Sequence, residues 1–283
     1  MLTTTQQTPL SYSGPIGVFD SGYGGLTILR EFQRVLPAYD YIYLGDNARA
    51  PYGSRSFDIV YRFTLEAVNE LFARGCPLII LACNTASAKA LRTIQQNDLP
   101  GIDPSRRVLG VIRPTVESLP DHTRNGHVGL VGTPGTVGSR SYELEIDKLY
   151  PDFKFSAHSC PMWVPLVENG EADKPGADYF VRQEIEALTR LDGEIDAIIL
   201  GCTHYPLLIN KIKKYLPTNV ALIKQGEIVA ASLADYLRRH QEMERRLTRG
   251  GTTEYLTTED AAKFSSMASI FLDSDIKAEQ ITL

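Results

Sequence analysis

Leu78-Ile-Ile-Leu-Ala-Cys83-Asn84-Thr85 and Ala197-Ile-Ile-Leu-Gly-Cys202-Thr203-His204 read almost alike. Each is a short apolar run that ends in a cysteine and passes at once to polar residues able to cap a helix. A brief apolar run bounded by such signals predicts a strand buried on both faces, as in a parallel sheet. A single buried cysteine there is ordinary core filling. Two placed alike predict paired thiols facing one site.

Outward from these runs, one order of elements appears twice. In the first half, Ile16 to Phe19 predicts a strand, Asp20-Ser-Gly-Tyr-Gly-Gly25 a tight turn, and Leu26 to Leu36 a helix. Tyr41 to Leu44 reads as a strand. Phe57 to Arg74 carries Ile59, Val60, Phe63, Ala67, Val68, Leu71 and Phe72 at helical spacing. The strand ending at Cys83 follows, then a helix over Asn84 to Gln96 and a strand over Val108 to Ile112. In the second half, Val128 to Val131 predicts a strand, Ser139 to Leu149 a helix and Phe153 to Ala157 a strand. Asp178 to Leu191 is a helix, Ala197 to Leu200 the strand ending at Cys202, and Tyr205 to Tyr215 a helix, with Pro206 near its first turn, where proline is tolerated. Val220 to Ile223 and Glu227 to Glu244 close the series as strand and helix.

Alternating strands and helices predict parallel sheets with helices on both faces. Two rounds of one order predict an α/β fold of two similar three-layer domains with mainly parallel sheets and an active site between them. One large sheet is the alternative. The expected division is a flexible arm over 1–13, a first domain of 14–112 plus 224–283, and a second of 113–223. The charged stretch from Arg238 to Arg249 reads as a solvated helix face followed by a turn.

Composition narrows the classes. The 283 residues are 43% hydrophobic and 22% charged, with a net charge of −5. This balance suits a soluble protein and lacks the basic footprint of a nucleic-acid binder. No apolar run approaches the roughly 18 residues of a membrane span. Four cysteines, none in a CxxC pair, make neither a disulfide scaffold nor a zinc motif. A reducing cytoplasm is the expected setting.

Ligands in parallel α/β folds sit at the carboxyl ends of strands, which selects Asp20, Ser21, Asp46, Cys83, Asn84, Thr85, Thr133, Cys202, Thr203 and His204. The turn after Phe19 is no dinucleotide fingerprint, because Thr27 stands where the third glycine belongs, and no Walker A pattern occurs. Asp20 ends a buried strand and needs a partner there. A thiol at a helix start is expected to have a lowered pKa, and so to act as a base. His204 stands ready to share a proton with Cys202, and Asp20 to do the same for Cys83. Glu168 lies in a loop-like segment. Cys76 and Cys160 each precede a proline away from a strand end and read as structural.

These parts suit proton exchange at a carbon beside a carboxylate. Inversion is served by two bases on opposite faces, a thiolate and a thiol that exchange roles each turnover. Backbone amides and the polar groups of Ser21, Asn84, Thr85 and Thr203 would hold the carboxylates and oppose developing charge. The scheme calls for no metal and no organic cofactor. Two other readings stay open: an enzyme acting on aspartate or another α-substituted acid, and a binding or sensor protein with redox cysteines.

The chain resembles the glutamate racemases of the aspartate/glutamate racemase superfamily. The matching segments are Ile16 to Leu26, Tyr43 to Gly53, Ala82 to Ser87, Cys160 to Glu168, and Gly201 to Leu207, with Tyr255 to Thr258 also similar. The resemblance implies cofactor-independent interconversion of L- and D-glutamate, supplying D-glutamate for peptidoglycan. It implies Cys83 and Cys202 as the acid/base pair, assisted by Asp20, Glu168 and His204. It implies substrate contacts at Asp20, Ser21, Tyr52, Gly53, Asn84, Thr85, Thr203 and His204; Tyr52 and Gly53 rest on it alone. It also implies a cytoplasmic homodimer.

Overall fold

A computed structural model describes residues 13–272 and 274–283. The arm expected over 1–13 lies outside the described residues, save Ser13.

The chain forms two separate parallel sheets. The first contains β1 (Ile16–Asp20), β2 (Tyr41–Gly45), β3 (Leu78–Leu81), β4 (Arg107–Gly110), and later β9 (Thr253–Thr257) and β10 (Ala278–Gln280). The second contains β5 (His127–Gly132), β6 (Lys154–Ser159), β7 (Ala197–Gly201) and β8 (Ala221–Ile223). The strand orders are β10-β9-β2-β1-β3-β4 and β6-β5-β7-β8. Strip the two C-terminal strands and both sheets have the same order, so the repeat seen in sequence is a repeat of topology. The two cysteine-bearing strands are equivalent: β3 lies between β1 and β4, and β7 between β5 and β8.

Burial explains the uniform apolar runs. Every residue of β1, β2, β3, β5 and β7 is buried, because helices cover both faces of each sheet. Leu78 and Ile80 pack in one cluster with Leu26, Leu29 and Phe32, while Ile79 and Leu81 pack in another with Val60, Val68 and Leu71. The alternation follows the two-residue period of a strand.

Several expected elements end differently. The strand expected to reach Ile112 stops at Gly110, because β4 pairs with only the four residues of β3. Ile112–Glu117 is instead a helix that carries the chain across to the second sheet. The helix after Cys83 is regular only over Asn84–Lys89, then continues to Ile102 as short α-helical pieces around a widened π turn at Ile94–Asp98. The helix expected from Ser139 starts at Ser141, because Arg140 stands in the left-handed region (φ 57°) after the short helix Pro134–Gly138. Tyr205–Leu208 is a 3-10 turn ahead of helix Ile209–Lys214. The helix expected over Glu227 to Glu244 spans Gln225–Arg239 and breaks at His240; a further helix, Ala261–Leu272, lies between β9 and β10. In the charged stretch from Arg238 to Arg249, Met243 and Leu247 are buried, while Arg238 and Arg239, at the end of the helix, pair with Asp235. No described helix is long and apolar enough to cross a membrane.

Candidate active site

The carboxyl ends of β1, β3 and β7 converge on a small cavity of about 100 Å³ lined from both sheets. Ser21, Tyr52, Gly53, Cys83, Asn84 and Thr85 line it from the first; Thr133, Cys160, Cys202, Thr203 and His204 line it from the second, with Glu168 at one wall. The space suits a compact ligand. A larger cleft of about 780 Å³ lies elsewhere, against Arg92, Arg113, Glu145 and Arg239. It holds no cysteine, and Arg113 is paired there with Glu117 at 2.8 Å.

Asp20 is buried at the end of β1. Its Oδ1 accepts from the Gly22 amide at 2.8 Å and its Oδ2 from the Thr203 hydroxyl at 3.4 Å. Burial raises its pKa; the opposing pull of His204 and the amides of Gly22 and Gly25 does not cancel this. Asp20 thus bridges the halves rather than bonding the Cys83 sulfur. Gly24 shows why the turn is built of glycine. A Cβ there would stand 2.2 Å from Thr203 Oγ1 and 2.6 Å from His204 Nδ1. The glycines serve this approach between the halves.

Cys83 is the N-cap of helix Asn84–Lys89, its Sγ accepting from the Ala86 amide at 3.4 Å and meeting Ser21 Oγ at 3.5 Å. The sequence predicts a lowered pKa here. Instead burial, with the negative charge of Asp20 beside it, pushes the thiol up to about 12. The helix terminus offers partial charge near the sulfur, but desolvation of a thiolate costs more. Cys83 therefore carries its proton at neutral pH.

Cys202 lies at the equivalent strand end, but a turn rather than a helix follows it. Its Sγ is 3.8 Å from His204 Nδ1, and His204 Nε2 is 3.0 Å from Glu168 Oε1. Burial works against the His204 cation. Contact with Cys202 and Glu168 outweighs this and pushes it up to about 10. Glu168 is held in reach because its segment is anchored: the Tyr205 hydroxyl donates to the Cys160 carbonyl at 3.1 Å, and Trp163 packs edge-on against Tyr205.

Tyr52 is buried, and its phenol bonds the buried Asp46 carboxylate. Asp46 also accepts from Arg49 Nε at 2.7 Å and from the Thr258 hydroxyl at 2.8 Å. The phenol is thus committed to Asp46. Gly53 accepts a hydrogen bond from the Gly135 amide at 2.7 Å, and a Cβ on Gly53 would stand 2.8 Å from Thr133 Cβ. Thr85 Oγ1 lies 3.0 Å from Thr133 Oγ1, another tie between the halves.

The structure therefore gathers Ser21, Tyr52, Gly53, Cys83, Asn84, Thr85, Thr133, Glu168, Cys202, Thr203 and His204 around one cavity, while Asp20 and Asp46 are buried behind its lining, bonded to Thr203 and Tyr52. Cys160, read as structural and away from a strand end, directly follows β6 and lines the cavity as well. Pro51, Pro134, Pro161, Val164 and Pro165 also line the cavity and lie in connecting or short helical segments that hydrophobic periodicity does not mark. Among the described residues, the group with metal-ligating chemistry is His127, Asp192 and Glu194. It lies at the amino end of β5, the edge opposite the cavity.

Comparison with known proteins agrees with this arrangement. Residues 16–233 match the model of the family described as Asp/Glu/Hydantoin racemase. A glutamate racemase of Roseobacter denitrificans is 43% identical over 268 residues, covering 91% of this chain and 96% of that protein. The structure superposes on a glutamate racemase isoform of Bacillus anthracis with a TM-score of 0.87 at 35% identity, covering 95% and 98% of the two chains. A Francisella tularensis glutamate racemase in complex with D-glutamate gives a TM-score of 0.84 at 32% identity, covering 95% and 98%.

Proposed function

This chain belongs to the Asp/Glu/hydantoin racemase family, and from that premise we propose that it interconverts L- and D-glutamate by passing the α-proton between Cys83 and Cys202. It is an amino-acid racemase, an isomerase. The observation that carries the reading is a compact cavity with one thiol from each of two equivalent strands.

In this reading the substrate α-carbon lies between the sulfurs. A thiolate on one face removes the α-proton and becomes a thiol. The electron pair of the C–H bond spreads into the adjacent carboxylate. The thiol on the opposite face then gives its proton to the carbon and becomes a thiolate, leaving the inverted enantiomer. Amides at the start of helix Asn84–Lys89 and the hydroxyls of Ser21, Thr85 and Thr203 hold the carboxylates and oppose the developing charge. The substrate ammonium adds positive charge near Asp20 and the sulfurs, which favours thiolate. Protonated His204, backed by Glu168, does the same for the Cys202 sulfur. No step calls on a metal or an organic cofactor.

The units at work are residues 14–112 with 224–283 and residues 113–223, closing on the substrate as a pair. The resemblance further supports a cytoplasmic homodimer that supplies D-glutamate for peptidoglycan; sedimentation at varied protein concentration tests the dimer. The activity test is incubation with L-glutamate in heavy water, following the α-proton by NMR and rotation by circular dichroism. Exchange with inversion is expected, faster than with L-aspartate under the same conditions. Intact protein that neither exchanges nor inverts glutamate overturns the reading.

A further inference from the structure

Asn84 follows the catalytic Cys83, and sequence reasoning makes it a substrate contact. Its side chain is already engaged on two sides. Asn84 Oδ1 accepts from the Tyr142 hydroxyl at 2.7 Å, and Asn84 Nδ2 donates to Gln225 Oε1 at 2.6 Å. Gln225 Nε2 donates to the Tyr142 hydroxyl at 2.8 Å and to Thr115 Oγ1 at 2.9 Å. Thr115 in turn donates to the Val111 carbonyl at 2.7 Å. All four side-chain owners are buried, none more than 3% exposed. The amides and hydroxyls thus form a closed ring with matched donors and acceptors, in a setting where an unmatched group is costly.

The places these residues occupy give the ring its meaning. The chain passes between the sheets twice, from β4 to β5 and from β8 to β9. Thr115 is on the helix of the first passage, Ile112–Glu117, and Gln225 is the first residue of the helix of the second, Gln225–Arg239. Tyr142 is on helix Ser141–Leu149 of the second unit, which follows β5, the neighbour of the Cys202 strand. Asn84 is the first residue of the helix capped by Cys83. One buried ring therefore joins both interdomain passages, the second unit and the Cys83 strand end. A rotation of one half against the other breaks it.

We infer that Tyr142, Gln225 and Thr115 are positioning residues that lock the angle between the halves, and so set the Cys83 sulfur opposite the Cys202 sulfur across the substrate. They touch no reacting atom; they act through Asn84. The inference rests on the two-thiol reading of the site. It also means that Asn84 contributes chiefly its backbone amide to the substrate.

Opposed alignment has a chemical signature that simple stability lacks. When the second thiol is out of line, the first holds its proton longer, exchanges it with solvent and returns it to the same face. Tyr142→Phe removes the hydroxyl and keeps the ring; Gln225→Met and Thr115→Val are the companion variants. Each is incubated with L-glutamate in heavy water, and deuterium in the unconverted L-glutamate is compared with D-glutamate formed. We expect racemisation to fall about 10- to 100-fold in Tyr142→Phe and Gln225→Met, as a displacement near 1 Å commonly costs. The ratio of exchange to inversion should rise severalfold, with a smaller rise in Thr115→Val. A ratio equal to wild type in all three, whatever happens to rate or melting temperature, overturns the inference and leaves the racemase reading standing. Wild-type protein that neither exchanges nor inverts overturns both.

Discussion

The Cys83 wall and the Cys202 wall occupy equivalent ends of equivalent strands, yet they surround their sulfurs with opposite charge. Cys83 sits near the Asp20 carboxylate, and burial holds it as a thiol, with a pKa of about 12. Cys202 sits 3.8 Å from His204, whose own pKa is pushed up to about 10. The repeated backbone decides where each sulfur stands; the side chains in which the two halves differ, Asp20 and His204, decide the charge beside it. The two walls thus set a protonated thiol beside a carboxylate on one side and a sulfur beside a cation on the other.

The comparison breaks most severely if either sulfur is dispensable. Cys83→Ala and Cys202→Ala should each reduce racemisation about a thousandfold or more, within the usual range for removing a proton-transfer group. Circular dichroism of glutamate measures it, and substantial activity in either variant refutes a two-base site. Next in size is Gly24→Ala, whose Cβ collides with Thr203 and His204. It should displace the Cys202 wall and cost about 100-fold in turnover while leaving the first sheet folded.

His204→Asn sharpens the comparison, because it removes the cation from one wall only. We expect about a tenfold loss of kcat and a change in the ratio of kcat between the two directions. The two kcat/KM values must stay equal, since enantiomers have equal free energy. An unchanged kcat ratio would mean that His204 does not distinguish the walls. The smallest effect is on stability. The folded pKa of His204 lies above its ordinary value, near 6.5. Its contribution is therefore fully present below about pH 6.5 and lost as pH rises through about 10. Thermal melts should show the gap between wild type and His204→Asn narrowing across that window. A widening gap contradicts the assignment.

Much of this was legible because the buried strands announce themselves. Leu78 to Leu81 and Ala197 to Gly201 are apolar on every residue because both faces are covered, and a cysteine just past such a run falls at the functional edge of a parallel sheet. Asp20 and His204 were found for the same reason. Tyr52 and Gly53 carry no periodic signal and entered only through family likeness, while Glu168, expected in a loop-like segment, ends the short helix Trp163–Glu168. Cys160 was placed away from a strand end because the strand was expected to stop at Ala157; β6 runs on to Ser159, so Cys160 directly follows a carboxyl end and faces the cavity. The thiol of Cys83 was misjudged in sign, because a helix start is visible in sequence while the depth of burial and the nearness of Asp20 are not.

The sequence by itself determined the alternating α/β order, its repetition, and the strand-end positions of the two cysteines. Those features follow from local apolar pattern and cap chemistry, which neighbouring residues specify. Only the tertiary structure decided that both sulfurs open into one cavity, that Asp20 reaches Thr203, and that Asn84 is ringed by Tyr142, Gln225 and Thr115. These contacts join residues far apart in the chain, and their energies depend on burial and distance, which no local pattern encodes.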